Sequence, residues 1–131
     1  MMVRLFLVLG AIAGGLAVAL GAFASHALKS RLLERSLAIF ETGVRYQMYH
    51  ALALLLVGMM LSLQAKPSLW LNLSGIGFLS GMLIFSGSLY ALALFGIKWM
   101  GAITPIGGVA FLFGWGCLAI AAFNIQLSPN L

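Results

Sequence analysis

Residues 41–50 read Glu-Thr-Gly-Val-Arg-Tyr-Gln-Met-Tyr-His, placing an acid, a base, an amide, two phenols and an imidazole close together. The chain around them is 63% hydrophobic and 7% charged, so this concentration of polar chemistry stands apart. On a helix, Arg45 and Tyr49 share a face, as do Tyr46 and His50. Glu41 precedes Arg45 by four residues, the order that favours an acid–base pair. Upstream lie Ser25 and His26, and downstream Ser86, Ser88, Tyr90 and Thr104. Several kinds of chemistry could use this set. Gln47 and the hydroxyls could lock helices together by hydrogen bonding. Glu41, Tyr46 and His50 could form a proton or ligand pocket, because ionisable groups within a membrane often mark such sites. His26 and His50, on different helices, could ligate a haem iron or a metal ion. A hydrolase would need an orienting acid and a nucleophile motif, yet the chain has no Asp, no G-x-S-x-G and no H-E-x-x-H. No catalytic residue, metal or cofactor is assigned.

The elements that position these residues are four apolar stretches, about 3–24, 44–63, 69–95 and 101–123. Each has roughly the 20 residues a helix needs to cross a bilayer. A chain of this composition could not cover its own surface in water. The expectation is an all-α membrane protein, 1–131 forming one domain, an up-down bundle of four transmembrane helices. Short links at Lys66-Pro67-Ser68 and Gly96–Met100 make sequential helices antiparallel neighbours. Trp70 and Trp99 fall at span ends, where indole rings favour the headgroup region. Pro105 is placed in the first turn of the fourth span. Arg4 and the apolar run before Ala22-Phe23-Ala24 imitate a secretory signal. The run is longer than a signal core, so a retained first helix is expected.

The first connection differs from the others. Leu28, Leu32, Leu33, Leu37 and Phe40 recur at helical spacing among charged residues, which predicts an interfacial amphipathic helix over about 28–41, broken at Thr42-Gly43 before the second span. With the second span starting at Val44, His50 would lie about 9 Å inside it at 1.5 Å per residue. His26, Glu41, Arg45, Tyr46, Gln47, His50, Ser86, Ser88, Tyr90 and Thr104 would then gather at one end of the bundle.

Seven Lys/Arg against two Asp/Glu give a net charge of +5. The cations are scattered in loops rather than massed among aromatic residues, which argues for anionic headgroups and against nucleic acid. Lys29, Arg31, Arg35, Arg45 and Lys98 fall on one side, and Arg4 and Lys66 on the other. That bias predicts both termini outside. Gly10-x-x-x-Gly14 and Gly77-x-x-x-Gly81 suit close helix packing, within the chain or between copies. Cys117 is the single cysteine, so no intramolecular disulfide can form.

Four segments carry a family resemblance: LGAFASHALK (20–29), FETGVRYQMYHALALL (40–55), FSGSLYALAL (85–94) and TPIGGVAFLFGW (104–115). In order and spacing they resemble the small bacterial inner-membrane proteins of the YgdD/YwdK type, domain-of-unknown-function 423. Ala24-Ser25 stands where that family has Gly-Ala, one small pair for another. The resemblance implies four transmembrane helices and an inner-membrane location, and it brings no reaction, substrate or cofactor. The expected role is a non-enzymatic accessory or assembly protein, embedded in the lipid bilayer and acting through its polar end on a membrane-protein partner or a homo-oligomer. The alternative is a small transporter or channel for a proton, ion or amphiphile.

Overall fold

A computed structural model of the protein describes residues 1–125. Four helical spans fill it, Met2–Leu28, Glu34–Leu63, Leu69–Phe95 and Met100–Phe123, each long and apolar enough to cross a membrane. No strand occurs among the described residues. A bilayer core offers no water to backbone N–H and C=O groups, so uninterrupted helices are the way this composition satisfies them. The first span packs along the second, the fourth along the third, and the second and third meet in the middle.

Local chemistry sets the turns. The Ser68 hydroxyl accepts from the Leu71 N–H (3.3 Å) and caps the third span. Gly96 ends that span at φ 65°, a left-handed conformation that glycine adopts without strain. Pro105 lies in the second turn of the fourth span rather than the first, because the helix begins at Met100. It therefore withholds an N–H from the carbonyl one turn back.

The interfacial helix expected over 28–41 does not form as a separate element. The first span runs on through a π-helical turn, Ala24–Leu28, and the chain reverses over 29–33. One unbroken helix then extends from Glu34 to Leu63. The physical reason is that the apolar stripe has a partner inside the chain. Leu28 and Phe40 are buried with Ala24 and Ala93, and Leu32 and Leu37 pack against them. Leu33, also counted in the stripe, is 81% exposed. Gly43 does not break the helix; it is buried where the Tyr90 ring crosses, and a Cβ there would sit 2.8 Å from the ring.

The small-residue pairs are occupied within the bundle. A Cβ on Gly10 would meet Leu55 and the Ala51 carbonyl, and Gly14 faces Ala51. A Cβ on Gly77 would lie 2.9 Å from Gly114 Cα, and one on Gly81 would collide with Phe111. Gly10, Gly77 and Gly81 are thus taken up by close contacts within the bundle, while Gly14 makes only ordinary contact. The third span widens into a second π-helical turn, Met82–Ser86. Gly107 lies so close to it that a Cβ would strike the Phe85 backbone.

Candidate functional site

The long second helix changes the depth of the polar residues. His50 is sixteen residues from Glu34 and thirteen from Leu63, about 24 and 20 Å by helical rise. Its ring stacks on Phe111, the middle residue of the fourth span, with centroids 3.4 Å apart and planes 9° from parallel. The polar centre therefore sits at mid-bundle, not at one end. The helix begins ten residues before Val44, which puts His50 deeper than a start at Val44 would.

Gln47 joins three spans. Its Nε2 donates to the Ala13 carbonyl of the first span (2.9 Å), and its Oε1 accepts from the Tyr90 hydroxyl of the third (2.7 Å). One helical turn away, the Ser86 hydroxyl donates to the Gly43 carbonyl (2.8 Å). Ser86 follows from the widened turn of the third span, which brings it against the second. Ser88 and Thr104 tie the third span to the fourth, their hydroxyls 2.6 Å apart. The Phe85 and Met100 carbonyls are within reach of the same two hydroxyls.

His50 is held at both nitrogens. Nδ1 lies 2.7 Å from the Tyr46 carbonyl, and Nε2 lies 3.1 Å from the Trp115 indole nitrogen. An indole N–H only donates and a carbonyl only accepts. The proton therefore resides on Nδ1, and Nε2 is the acceptor: a neutral imidazole in one defined tautomer.

Gln47, His50, Ser86, Ser88, Tyr90 and Thr104 thus form a layer of interhelical bonds, though not one continuous chain. Other expected members lie elsewhere. His26 is exposed on the first π-helical turn at the end of the bundle, so it does not join His50 as a second ligand. Glu41 and Arg45 are exposed, and no ion pair joins them among the described residues. No group of three or more His, Cys, Asp or Glu that could hold a metal occurs among the described residues. Tyr46 is partly exposed, its ring packed on Phe85 with centroids 4.7 Å apart.

Trp115 is the residue that motif reasoning missed. Its signal is depth: it lies eight residues before Phe123, about 12 Å into the span by helical rise. Trp at a span end reads as a headgroup anchor, but an indole N–H this far inside needs a partner in the protein. Phe85, Phe111 and Trp115 then line a cleft of about 650 Å³ between the second and fourth spans, with Tyr46, Tyr49 and His50 on its other wall.

The family described as "Protein of unknown function (DUF423)" matches residues 20–108. The chain belongs to this family. That stretch contains most of the hydrogen-bonded layer, though Ala13 and Trp115 lie outside it. A UPF0382 membrane protein of Staphylococcus aureus is 44% identical, covering 92% of this chain and 97% of the relative. The UPF0382 membrane protein YwdK of Bacillus subtilis is 42% identical, over 91% of this chain and 96% of its own. The UPF0382 inner membrane protein YgdD of Escherichia coli is 37% identical, over 94% and 92%. No solved structure matches the chain. Like these family members it is a multi-pass integral membrane protein, of the bacterial inner (plasma) membrane.

Proposed function

We propose that this protein is a non-enzymatic accessory or assembly partner in the membrane, recognised through the end of the bundle formed by residues 24–45. The observation that carries this reading is how the polar groups divide. Gln47, His50, Ser86, Ser88 and Thr104 are engaged in bonds that hold one span to another or to its own backbone. Most of the exposed charged side chains, with His26, lie toward one end of the bundle, namely Lys29, Arg31, Glu34, Arg35, Glu41 and Arg45, while Arg4 and Lys66 are exposed at the other. Four Lys/Arg against two Glu make that end basic, suited to an acidic loop of a partner protein close to the headgroups.

The transport reading has less support. Glu41 and His50 are nine residues apart on one helix, about 14 Å, and both nitrogens of His50 are already engaged within the bundle. The test is purification from native membrane in mild detergent, with quantitative mass spectrometry of co-eluting proteins. A stoichiometric partner, released by Arg31→Glu with Arg35→Glu, is the expected result. A solitary protein, or a partner indifferent to those reversals, would remove the reading.

A further inference from the structure

The cleft between the second and fourth spans has three properties that together define what fits it. First, its walls are flat and aromatic: Tyr46, Phe85, Phe111 and Trp115 surround a space of about 650 Å³. Second, no Lys, Arg, Asp or Glu lines it, so it offers nothing to a phosphate or carboxylate headgroup. Third, the hydroxyls of Tyr46 and Tyr49 line it without donating to any described residue, and both residues are exposed toward the cleft side of the bundle. Tyr49 is fifteen residues from Glu34 and fourteen from Leu63, about 21 Å or more from either helix end. Tyr49 thus stands on the mid-span wall of the cleft, one turn deeper than the exposed Arg45. In hydrocarbon an unpaired phenol costs free energy, and lipid tails carry no acceptor to relieve it.

We infer that the cleft binds a neutral, lipid-phase molecule with a flat, carbonyl-bearing head, of the isoprenoid quinone class. Such a head stacks on aromatic walls, presents acceptors to two phenolic donors, and is carried to mid-bilayer depth by its own apolar tail. A phospholipid leaves its acceptors at the interface. A simple hydrocarbon chain fills the volume but leaves both phenols unpaired. His50 is not needed as a ligand group, because both its nitrogens are already engaged. The site is distinct from the basic end proposed as the partner surface.

The test places the full chain in nanodiscs with Trp70→Phe and Trp99→Phe, leaving Trp115, on the cleft wall, as the only indole. A short-tailed benzoquinone is titrated and indole fluorescence is read. The expected result is saturable quenching that an isoprenoid hydrocarbon does not compete away. Tyr49→Phe, which keeps the ring, should weaken apparent affinity several-fold, up to about tenfold, the worth of one hydrogen bond. Gly108→Leu, which projects into the cleft where a Cβ meets only ordinary contact, should abolish saturation while circular dichroism stays unchanged. Linear, unsaturable quenching would overturn the inference. So would saturation that is unchanged by Tyr49→Phe, or that the hydrocarbon competes equally, which would make the cleft a seat for lipid tails. Stable dimers dispersed by Gly108→Leu, without saturable quenching, would overturn it in favour of a second copy of the chain.

Discussion

The bridge made by Gln47 gives the sharpest test of the polar layer. Tyr90→Phe removes the hydroxyl that donates across 2.7 Å to Gln47 Oε1 and leaves the ring, packed on Phe40 at 4.9 Å, in place. Gln47→Leu keeps a similar volume but removes that bond and the one to the Ala13 carbonyl. Each single change should destabilise the bundle by about 1–3 kcal/mol, because each strands a polar partner out of water. The double variant should cost less than the sum, since the second change removes the group stranded by the first. Interhelical bonds in membrane proteins couple by about 0.6 kcal/mol on average and about 1.7 at most. A bond this short, largely shielded from water, belongs in the upper part of that range. In equilibrium-constant terms that upper part is about a sevenfold to twentyfold excess over additivity. The assay is reversible unfolding in mixed lipid–detergent micelles, or steric trapping in bicelles, across the double-mutant cycle. Coupling within about 0.3 kcal/mol of zero, as expected for independent sites, would refute the bridge.

The other predictions concern the imidazole, the glycine contacts and the topology. Nitrogen-15 NMR of His50 should show a protonated Nδ1 and a bare, hydrogen-bonded Nε2, with the Nε2 resonance moving on Trp115→Phe; a proton found on Nε2 would contradict the arrangement. Gly107→Ala should destabilise by about 1–3 kcal/mol through overpacking against the Phe85 backbone, whereas Gly116→Ala, with nothing near its added carbon, should be neutral or gain up to about 1 kcal/mol of helix propensity. Equal effects at the two positions would show that the third and fourth spans do not cross there. An alkaline phosphatase fused at the C-terminus should be active outside, following the loop cation bias; fluorescence of a cytoplasmic reporter at that end would reverse the orientation.

The spans were legible because the bilayer admits few solutions for a chain of this kind. Long apolar runs separated by Pro67-Ser68 and Gly96 could only be helices joined by tight turns. The polar layer was legible only in part: Gln47, His50, Ser86, Ser88, Tyr90 and Thr104 are bonded in it, whereas His26, Glu41, Arg45 and Tyr46, expected with them, are not. Depth was not legible. Thr42-Gly43 reads as a breaker when helix propensity decides, yet here the missing side chain makes room for Tyr90, and tertiary packing overrides propensity. Nor could His26 be placed from spacing alone. Its position on a π-helical turn turns on where the first helix ends, the least certain feature of any helix. The aromatic wall was missed for a different reason: Phe85, Phe111 and Trp115 come from two spans and acquire meaning only through their register.

The unbroken second helix has a mechanical consequence that a separate interfacial helix would not. Glu34, Glu41 and Arg45 at the basic end, and Tyr46, Tyr49 and His50 on the cleft wall, stand on one continuous rod. A hinge at Gly43 would have let the basic end move without disturbing the cleft. Here Gly43 is pinned instead, its carbonyl bonded to Ser86 and its open face filled by Tyr90. Tilting or rotating the outer half of the helix must therefore either carry the cleft wall with it or break the bonds to the third span. If a partner engages the basic end, its binding free energy is available to reposition the two tyrosines relative to the fourth span, and occupation of the cleft must affect partner binding by the same factor. Ser86→Ala should weaken that linkage while leaving both surfaces chemically intact, because it releases Gly43 without touching a residue of either. Partner affinity measured with and without cleft ligand, in wild type and in Ser86→Ala, decides the point: equal coupling in the two proteins would mean that the Ser86–Gly43 bond does not carry the linkage, and no coupling in wild type would mean that the rod does not transmit.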